Sequence, residues 1–331
     1  MKNKLINIFL CLTFFLGFLN GQTEVEKKKS DYFTIELKDY PKDSIKILQV
    51  TDLHIGSEGK WNEDLNTFKR IKILIEMYEP NMLFVTGDLF TGAKPYGSLL
   101  TAFAVHFFDN LKIPWLYVFG NHDPEGGFGH DDIYEIFNKS EWGILGFHNS
   151  ENSKKYDYLV DIKISGKDNP IWQIYAFDTG PHNGIKAVQP DQIAWYKNTS
   201  LQSQTSYKEI IPAISIFHIP LIQYQELWND SKITKKGVSL EKVYYEEDDG
   251  SLYNAFVEMK NVKYTFCGHD HYNNYWGKTK DGITLAYGYI SGESTKEAWP
   301  TGGKLISIPI NGGDIFIKNI TPKFDSNEHK Y

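Results

Sequence analysis

The sequence predicts an α/β fold, in which strands alternate with helices. Two observations support this prediction: short, apolar, β-branched runs recur along the chain, and segments with helical spacing separate the first of them. The chain has 331 residues, of which 41% are hydrophobic, so it is long enough for one large domain or two smaller ones. No repeat or linker divides it, and we therefore expect one domain over residues 40–322, after a leader at 1–21.

The first strand and helix of this pattern have the clearest signals. Residues 44–50 are SIKILQV, a short β-branched run that is typical of a buried strand. Apolar residues then recur at helical spacing over 65–79, and Pro80 ends the predicted helix. By the same reasoning, further helices are predicted at 98–110 and 189–200, and further strands at 81–88, 113–123, 171–180, 210–220, 261–271, 283–292, 304–310 and 314–320. The polar and charged residues 228–253 are predicted to form an excursion or lid.

The leader, residues 1–21, has the pattern of a signal peptide. Lys2 and Lys4 precede an uncharged apolar run from Ile6 to Leu19, which is short for a membrane span. We therefore expect cleavage, a secreted or periplasmic protein, and no stable membrane span afterwards; an uncleaved anchor is the alternative. One of the two cysteines lies in this leader, so no internal disulfide is expected in the mature chain.

The charge of the chain limits its partners. The formal net charge is -7, and no basic run is long enough to follow a phosphate backbone, so duplex nucleic acid is not expected as a partner. An acidic protein can still act on phosphate esters if metal ions supply the local positive charge. The oligomeric state does not follow from these features.

Five predicted strands end in carboxylate, imidazole or amide side chains. The motifs VTDLHIG, TGDLF, FGNHDP, FHIP and CGHDHYN contain Asp52, His54, Asp88, Asn121, His122, Asp123, His218, His269 and His271. Because the carboxyl ends of parallel strands meet at one edge of an open α/β sheet, these side chains are expected to form a metal cluster there. A histidine at a strand end is more often a hydrogen-bonded polar residue than a ligand, so the prediction depends on the combination of motifs.

The order of these motifs resembles that of the calcineurin-like metallophosphoesterases, which include the purple acid phosphatases. The motifs span residues 52–271, about two thirds of the chain. Four further segments are similar to a narrower branch, the non-purple, purple-acid-phosphatase-like proteins that are often labelled inactive; they are residues 217–228, 268–277, 287–294 and 302–308. The resemblance implies a four-layer α/β/β/α sandwich, with two mixed sheets flanked by helices.

The resemblance also implies a pair of metal ions. One ion would be held by Asp52, His54, Asp88 and His271, and the other by Asp88, Asn121, His218 and His269, with Asp88 as the bridge. Carboxylate, imidazole and amide ligands suit zinc, manganese or iron, and they also admit magnesium or calcium. Cys267 is expected to be a small buried residue and not a ligand.

One position departs from the purple enzymes. They carry a tyrosine three residues after the bridging aspartate, and that tyrosine produces their colour. Here the position is Thr91, and His54 would supply a ligand instead. The resemblance therefore implies that an iron-loaded sample has no purple charge-transfer band.

The implied activity is hydrolysis of phosphate monoesters by a metal-bridging hydroxide that attacks phosphorus in line. His122 would protonate the leaving alkoxide, and Asp123 would orient its ring; the alternative for His122 is a purely structural contact with the ligands. The expected substrate is a small phosphate ester, and a phosphoprotein is the alternative substrate. A phosphodiesterase or nucleotide pyrophosphatase can use the same ligands, and a non-catalytic metal-binding scaffold is the alternative from another class.

Several residues near these motifs have open roles. The loop 177–184, with Asp178 and His182, is a candidate for contact with substrate. Tyr272, Tyr275, Trp276 and the excursion at 228–253 are further candidates for the pocket lining. Solvated loops and packing at the rim are equally good readings for all of them. Asp270, between two histidines, is expected at most to orient a ligand.

Overall fold

The structure is a computed structural model that describes residues 23–38, 41, 43–91, 96–150, 153–182, 184–295, 300–310 and 313–323. The predicted leader at 1–21 lies outside the described residues. Within the described part of the chain, no helix combines the length and the apolar character that a membrane crossing requires.

The described elements alternate along the chain as an α/β protein requires. The strands are β1 (Thr23–Lys29), β2 (Tyr32–Leu37), β3 (Ser44–Val50), β4 (Met82–Thr86), β5 (Trp115–Val118), β6 (Gly143–Ile144), β7 (His148–Ser150), β8 (Ser153–Lys155), β9 (Tyr158–Ile164), β10 (Trp172–Ala176), β11 (Ala213–Ile216), β12 (Lys235–Lys236), β13 (Val262–Cys267), β14 (Trp276–Lys278), β15 (Thr284–Tyr287), β16 (Gly303–Pro309) and β17 (Phe316–Ile320). The helices are α1 (Trp61–Tyr78), α2 (Gly97–Asn110), α3 (His130–Phe137), α4 (Pro190–Tyr207), α5 (Ile222–Asn229) and α6 (Ser251–Met259), with a short 3-10 helix at Glu125–Gly127.

Two mixed sheets form the centre of the molecule. The six-stranded sheet has the order β17-β16-β3-β4-β5-β6, and the nine-stranded sheet has the order β1-β2-β9-β10-β11-β13-β15-β14-β12. In the first sheet β3 to β6 are parallel and β16 is antiparallel to β3. In the second sheet β10, β11, β13 and β15 are parallel. Each sheet therefore collects several strand carboxyl ends at one edge.

The nine-stranded sheet packs on both of its faces. Along β10 and β11, Ile174, Ile214 and Ile216 belong to a core shared with the six-stranded sheet. Their neighbours Tyr175 and Ala213 belong to a second core on the other face. This alternation is the period-2 geometry of a strand that is buried on both faces.

The helices cover the outer faces of the two sheets. The side chains of α1, α2 and α3 pack in the first core, beside β3, β4 and β5. The side chains of α4, α5 and α6 pack in the second core. Between the sheets, the rings of Phe84 and Phe266 lie 6.4 Å apart. This order of layers, helices, sheet, sheet and helices, confirms the predicted α/β fold as a four-layer sandwich.

The predicted strands and helices are confirmed at their centres and differ at their ends. Helix α4 continues to Tyr207, well beyond the predicted end at 200. The added turns are polar and largely exposed, so they lack the apolar spacing from which a helix is predicted. Helices α5 and α6 border the polar segment 228–253, which the sequence predicted only as an excursion. Strands β1 and β2 lie before residue 40, and β2 pairs with β9, so the nine-stranded sheet includes residues that precede the predicted start of the domain.

Candidate metal centre

The predicted site residues follow strands of both sheets. Asp52, Asp88 and Asn121 come after β3, β4 and β5 of the six-stranded sheet, whereas His218 and His269 come after β11 and β13 of the nine-stranded sheet. The order of the motifs predicted that these side chains meet at one edge of one open sheet. The structure instead brings together the carboxyl edges of two sheets that are stacked face to face.

The turns that carry these residues have an unusual backbone. Asp52, His54, Asp88 and His269 have φ values of 53°, 49°, 48° and 77°, in the left-handed region that residues other than glycine seldom adopt. Such conformations cost roughly 1–3 kcal/mol each and persist where the surroundings hold them. Here the turns hold each other, because the Asp52 and His54 backbone N–H groups donate to the carbonyls of Gly87 and Asp88, at 3.1 and 2.9 Å.

A first group of three side chains is able to hold a metal ion and consists of Asp52, His54 and His271. The Nε2 atoms of the two histidines are 3.2 Å apart, and His271 Nε2 is 3.7 Å from Asp52 Oδ1. Asp52 and His54 are buried. The ligand atoms therefore converge on one point.

A second group with the same property consists of Asp88, His218 and His269. His218 Nε2 lies 3.2 Å from Asp88 Oδ2 and 3.2 Å from the amide oxygen of Asn121. Asp88 Oδ2 is also 3.6 Å from His54 Nε2 in the first group. Asp88 therefore lies between the two groups.

Hydrogen bonds orient the histidines of both groups. His218 Nδ1 donates to the Thr86 carbonyl at 2.8 Å, which leaves Nε2 free to face Asp88. His54 Nδ1 is in close contact with Thr91 Oγ1. A metal-binding histidine characteristically uses its second nitrogen in this way, so the donor set and its orientation fit a pair of bound cations.

Burial and charge determine the protonation of these groups. Burial lowers the pKa of His54 and of His269 to about 3, which keeps both rings in the neutral form that binds metals. Burial by itself would lower the pKa of His218. The negative charge of Asp88 and its hydrogen bond to the ring outweigh this effect and raise the pKa of His218 to about 10. A cation bound beside His218 would therefore have to displace a proton.

The predicted catalytic residues have different environments. The His122 side chain is 39% exposed, and its Nδ1 lies 2.8 Å from Glu125 Oε1. Its ring centroid is 5.3 Å from that of His54. Asp123 is buried and accepts hydrogen bonds from the backbone N–H groups of Gly120 and Phe90, at 2.6 and 2.9 Å. The carboxylate that contacts the His122 ring is therefore that of Glu125, whereas Asp123 bonds to the backbone.

The other residues singled out in the sequence are mostly packing groups. Cys267 is buried and free, as predicted. Asp270 accepts hydrogen bonds from the Tyr287 hydroxyl and the Tyr244 backbone N–H, at 2.6 and 3.2 Å, and so fastens the 228–253 segment. Tyr275 is buried in the second core.

Two charged residues that no sequence motif singled out lie beside the centre. Glu246 Oε1 is 3.5 Å from His269 Nε2, and the same oxygen is 3.3 Å from Lys186 Nζ. Glu246 belongs to the segment 228–253, and Lys186 follows the loop 177–184. In the sequence, only these positions pointed to Glu246 and Lys186, because both segments were candidates for the pocket.

The chain is similar to known proteins over most of its length. Residues 45–273 match the family model described as calcineurin-like phosphoesterase. A protein named probable inactive purple acid phosphatase 28, from Arabidopsis thaliana, is 27% identical over 302 residues, which cover 80% of this chain and 74% of that protein. Phosphatase DCR2 of Saccharomyces cerevisiae is 25% identical over 76% of this chain and 49% of that protein.

A solved structure shares the fold. The crystal structure of a dimetal phosphatase from Danio rerio is similar with a TM-score of 0.53 and 11% sequence identity, over 85% of this chain and 100% of that chain. At this identity the similarity concerns the arrangement of the elements and not the activity.

Proposed function

The chain belongs to the calcineurin-like phosphoesterase family, and from that premise we propose that it is a metal-dependent hydrolase of phosphate monoesters. The observation that supports the proposal best is the pair of ligand groups with Asp88 between them. A single structural ion would need one such group. Two groups that share a carboxylate are the arrangement that two-metal phosphoryl transfer requires.

The proposed ligands divide as the motifs do. Asp52, His54, Asp88 and His271 would hold one ion, and Asp88, Asn121, His218 and His269 would hold the other. Two ions of the zinc, manganese or iron class, when bound, lower the pKa of a water molecule and neutralise the charge of the phosphoryl group. The residues of the chain would hold the two ions side by side and exclude bulk water from the buried side.

His122 is the proposed proton donor for the leaving group. Its ring lies beside His54 at the edge of the centre, and its exposed side can meet a substrate. The bond from Nδ1 to Glu125 leaves Nε2 to carry the transferred proton. Asp123, which is buried under the same turn, would act by holding the backbone that carries Asn121 and His122.

Metal content measured together with hydrolysis tests the proposal. We expect the purified protein to hydrolyse nitrophenyl phosphate with its metals bound, and Asp88→Asn to lower that rate by about 10²–10³-fold or more, since charge stabilisation of the transition state is lost. His106→Gln, on the exposed face of α2, is the matched control and should leave the rate unchanged. Equal rates for the wild type and Asp88→Asn would refute the assignment of the site.

The same assay separates the two alternatives. A higher rate on the bis-nitrophenyl ester than on the monoester would favour a phosphodiesterase. The structural feature in favour of that alternative is Glu246, because a carboxylate beside the centre favours substrates with less negative charge, as diesters have. Binding of two metal equivalents without hydrolysis of any ester would favour a scaffold, in keeping with the word inactive in the names of three Arabidopsis relatives.

Export is the remaining part of the proposal. The pattern of residues 1–21 supports a cleaved signal peptide and a secreted or periplasmic protein. The mass of the protein isolated from its host, together with sequencing of its amino terminus, should show a chain that begins after the leader. An intact Met1 on the membrane fraction would instead favour the anchor.

A further inference from the structure

A lysine that belongs to neither ligand group lies beside the candidate centre. Lys186 Nζ is 3.3 Å from Glu246 Oε1, and the same oxygen is 3.5 Å from His269 Nε2. A single carboxylate oxygen therefore separates the ammonium group from a proposed ligand nitrogen. The Lys186 side chain is 36% exposed, so its ammonium group can meet a molecule that enters from solvent.

Hydrogen bonds hold the backbone at Lys186 in place. Immediately before it, the backbones of His182 and Ile185 exchange two hydrogen bonds, at 2.8 and 3.0 Å, which close a tight turn. The Lys186 backbone N–H then donates to Glu247 Oε2 at 2.9 Å. The lysine is therefore tied, through its backbone as well as its side chain, to the residues that include Glu246.

The loop that leads to Lys186 is also bonded to the candidate centre. The Thr179 hydroxyl oxygen accepts the backbone N–H of Ile219 at 3.1 Å, and Ile219 directly follows the proposed ligand His218. This bond holds the loop after β10 against the loop after β11, at the carboxyl edge of the nine-stranded sheet. Lys186 therefore follows a loop that is anchored beside a proposed metal ligand.

Glu246 approaches the centre from the segment 228–253 with a constrained backbone. Its φ is 49°, in the left-handed region that residues other than glycine seldom adopt. Backbone conformations of this kind persist where their surroundings hold them, and they gather at functional sites. Two residues earlier, the Tyr244 backbone N–H donates to Asp270, the neighbour of His269, at 3.2 Å. This bond holds the turn that carries Glu246 beside the proposed ligand.

The charge of a phosphate ester gives these two residues opposite effects. A monoester carries close to two negative charges at neutral pH, because its second pKa is about 6, whereas a diester carries one. The Glu246 carboxylate repels the added charge of the monoester. The Lys186 ammonium group attracts that charge and can form charge-assisted hydrogen bonds with phosphoryl oxygens. The two side chains together therefore affect which ester binds.

We propose that Lys186 binds the phosphoryl group of the substrate and selects dianionic monoesters over diesters, while Glu246 positions its ammonium group. An ammonium group has three donors, so Lys186 can keep its contact with Glu246 and donate to a phosphoryl oxygen at the same time. The inference rests on the proposed function of the candidate centre, and it names the charge class of the substrate that binds there.

Binding of inorganic phosphate to the metal-loaded, full-length protein tests the inference without any turnover. Equilibrium dialysis gives the dissociation constant, and the metal content of each variant is measured alongside it. We expect Lys186→Met to weaken phosphate binding by about 10–100-fold, as for loss of a charged hydrogen bond, and Lys186→Arg to keep most of the affinity. Lys197→Met is the matched control, because Lys197 is equally exposed, at 36%, and pairs with Glu258 on α6; it should bind phosphate as the wild type does.

Rates on the two nitrophenyl esters test the selectivity. In Lys186→Met, kcat/KM on the monoester should fall by about 10–100-fold, mainly through a higher KM, while kcat/KM on the bis-ester stays within about twofold of the wild type. An unchanged ratio between the two esters would overturn the selectivity.

A double variant separates direct contact from compensation of charge. If Lys186 only neutralised Glu246, Lys186→Met combined with Glu246→Gln would regain the phosphate affinity of the wild type, and that result would overturn the inference. We expect the double variant to bind phosphate at least about tenfold more weakly than Glu246→Gln alone.

Equal phosphate affinity of the wild type and Lys186→Met would also overturn the inference, as would a wild type that binds no phosphate. Failure of the proposed function has a different signature, in which the metal-loaded wild type binds phosphate through Lys186 and hydrolyses neither ester.

Discussion

Three of the four histidines of the candidate centre face its carboxylates through the same ring atom. His54, His218 and His271 all present Nε2 to Asp52 or Asp88. For His54 and His218 the Nδ1 atom is engaged by a threonine, through the Thr91 hydroxyl and the Thr86 carbonyl. The orientation of these two imidazole rings is therefore set by threonine residues that are not proposed metal ligands.

The first prediction concerns Thr91. Thr91→Val removes the hydroxyl that contacts His54 Nδ1, and loss of such a contact characteristically weakens metal binding by about 10–100-fold. A competition titration with a coloured chelator measures the change. Thr205→Val, on the exposed side of α4, removes a hydroxyl that donates to the Leu201 carbonyl of its own helix and should leave affinity unchanged. Equal affinity in both variants would show that Thr91 does not orient the ligand.

The second prediction concerns His122. His122→Ala should keep both metals and lower the rate on an alkyl phosphate by about 10²–10⁴-fold, as expected for loss of a general acid. The loss on nitrophenyl phosphate should be much smaller, since nitrophenolate leaves without a proton. Glu125→Gln, which keeps the shape of the residue that contacts His122, should have a milder effect. Wild-type activity of His122→Ala on the alkyl ester would rule out the role.

At the scale of elements, the site depends on turns that follow strands. The turns after β3 and β4 bond to each other through their backbones, and Gly120 after β5 has no room for a side chain, because a Cβ there would meet the Asp88 backbone and carboxylate. In the segment 228–253, one carboxylate joins two helices. Asp248 Oδ2 accepts the N–H of Ile222, which begins α5, and that of Gly250, which precedes α6.

The third prediction follows from the pKa of Asp248. Burial raises this pKa to about 6, above the unfolded value, so the protonated form stabilises the fold. That stabilisation is complete below about pH 4 and is lost as the pH rises through 6. Asp248→Asn cannot ionise, and its stability relative to the wild type should rise by on the order of 2 kcal/mol between pH 4 and pH 7.

Urea unfolding at several pH values measures this difference. Asp249→Asn is the control, because the pKa of the exposed Asp249 is lowered by its hydrogen bond with Ser251 and that variant should gain nothing as the pH rises. A constant stability difference between Asp248→Asn and the wild type across this range would contradict the prediction.

At the scale of the whole molecule, the candidate centre connects the two sheets. Asp52 and Asp88 come from the six-stranded sheet, while His218, His269 and His271 come from the nine-stranded sheet. An ion in either ligand group would therefore link the two sheets as well as serve the chemistry. Ligand binding to the folded state stabilises it by mass action.

The fourth prediction is a dependence of the melting temperature on metal. At free metal about 100 times its dissociation constant, one site contributes about 2.7 kcal/mol, which corresponds to a rise of about 4 °C in a chain of this size. Scanning calorimetry of metal-loaded and chelator-treated protein measures the shift. A variant with both Asp88→Asn and His218→Ala should show a smaller one. Identical melting temperatures with and without metal would contradict a centre that spans the sheets.

The sequence by itself determined the α/β class and the chemistry that collects at the strand ends. Both signals are local: an apolar run predicts a strand, and glycine beside aspartate and histidine predicts a turn with ligands, as at Gly268 and His269. The motif order resembled one family, and residues 45–273 match that family's model. The seven metal ligands themselves stay a prediction that the geometry supports.

Only the tertiary structure decided which side chains meet. Lys186 and Glu246 are far apart in the chain, and no local pattern links them. Glu125 lies against the His122 ring, and Glu246 reaches His269 because the 228–253 segment folds onto the centre. These contacts depend on the stacking of two sheets and on the paths of their loops. The periodicity of one segment describes only that segment, so it does not predict contacts between distant segments.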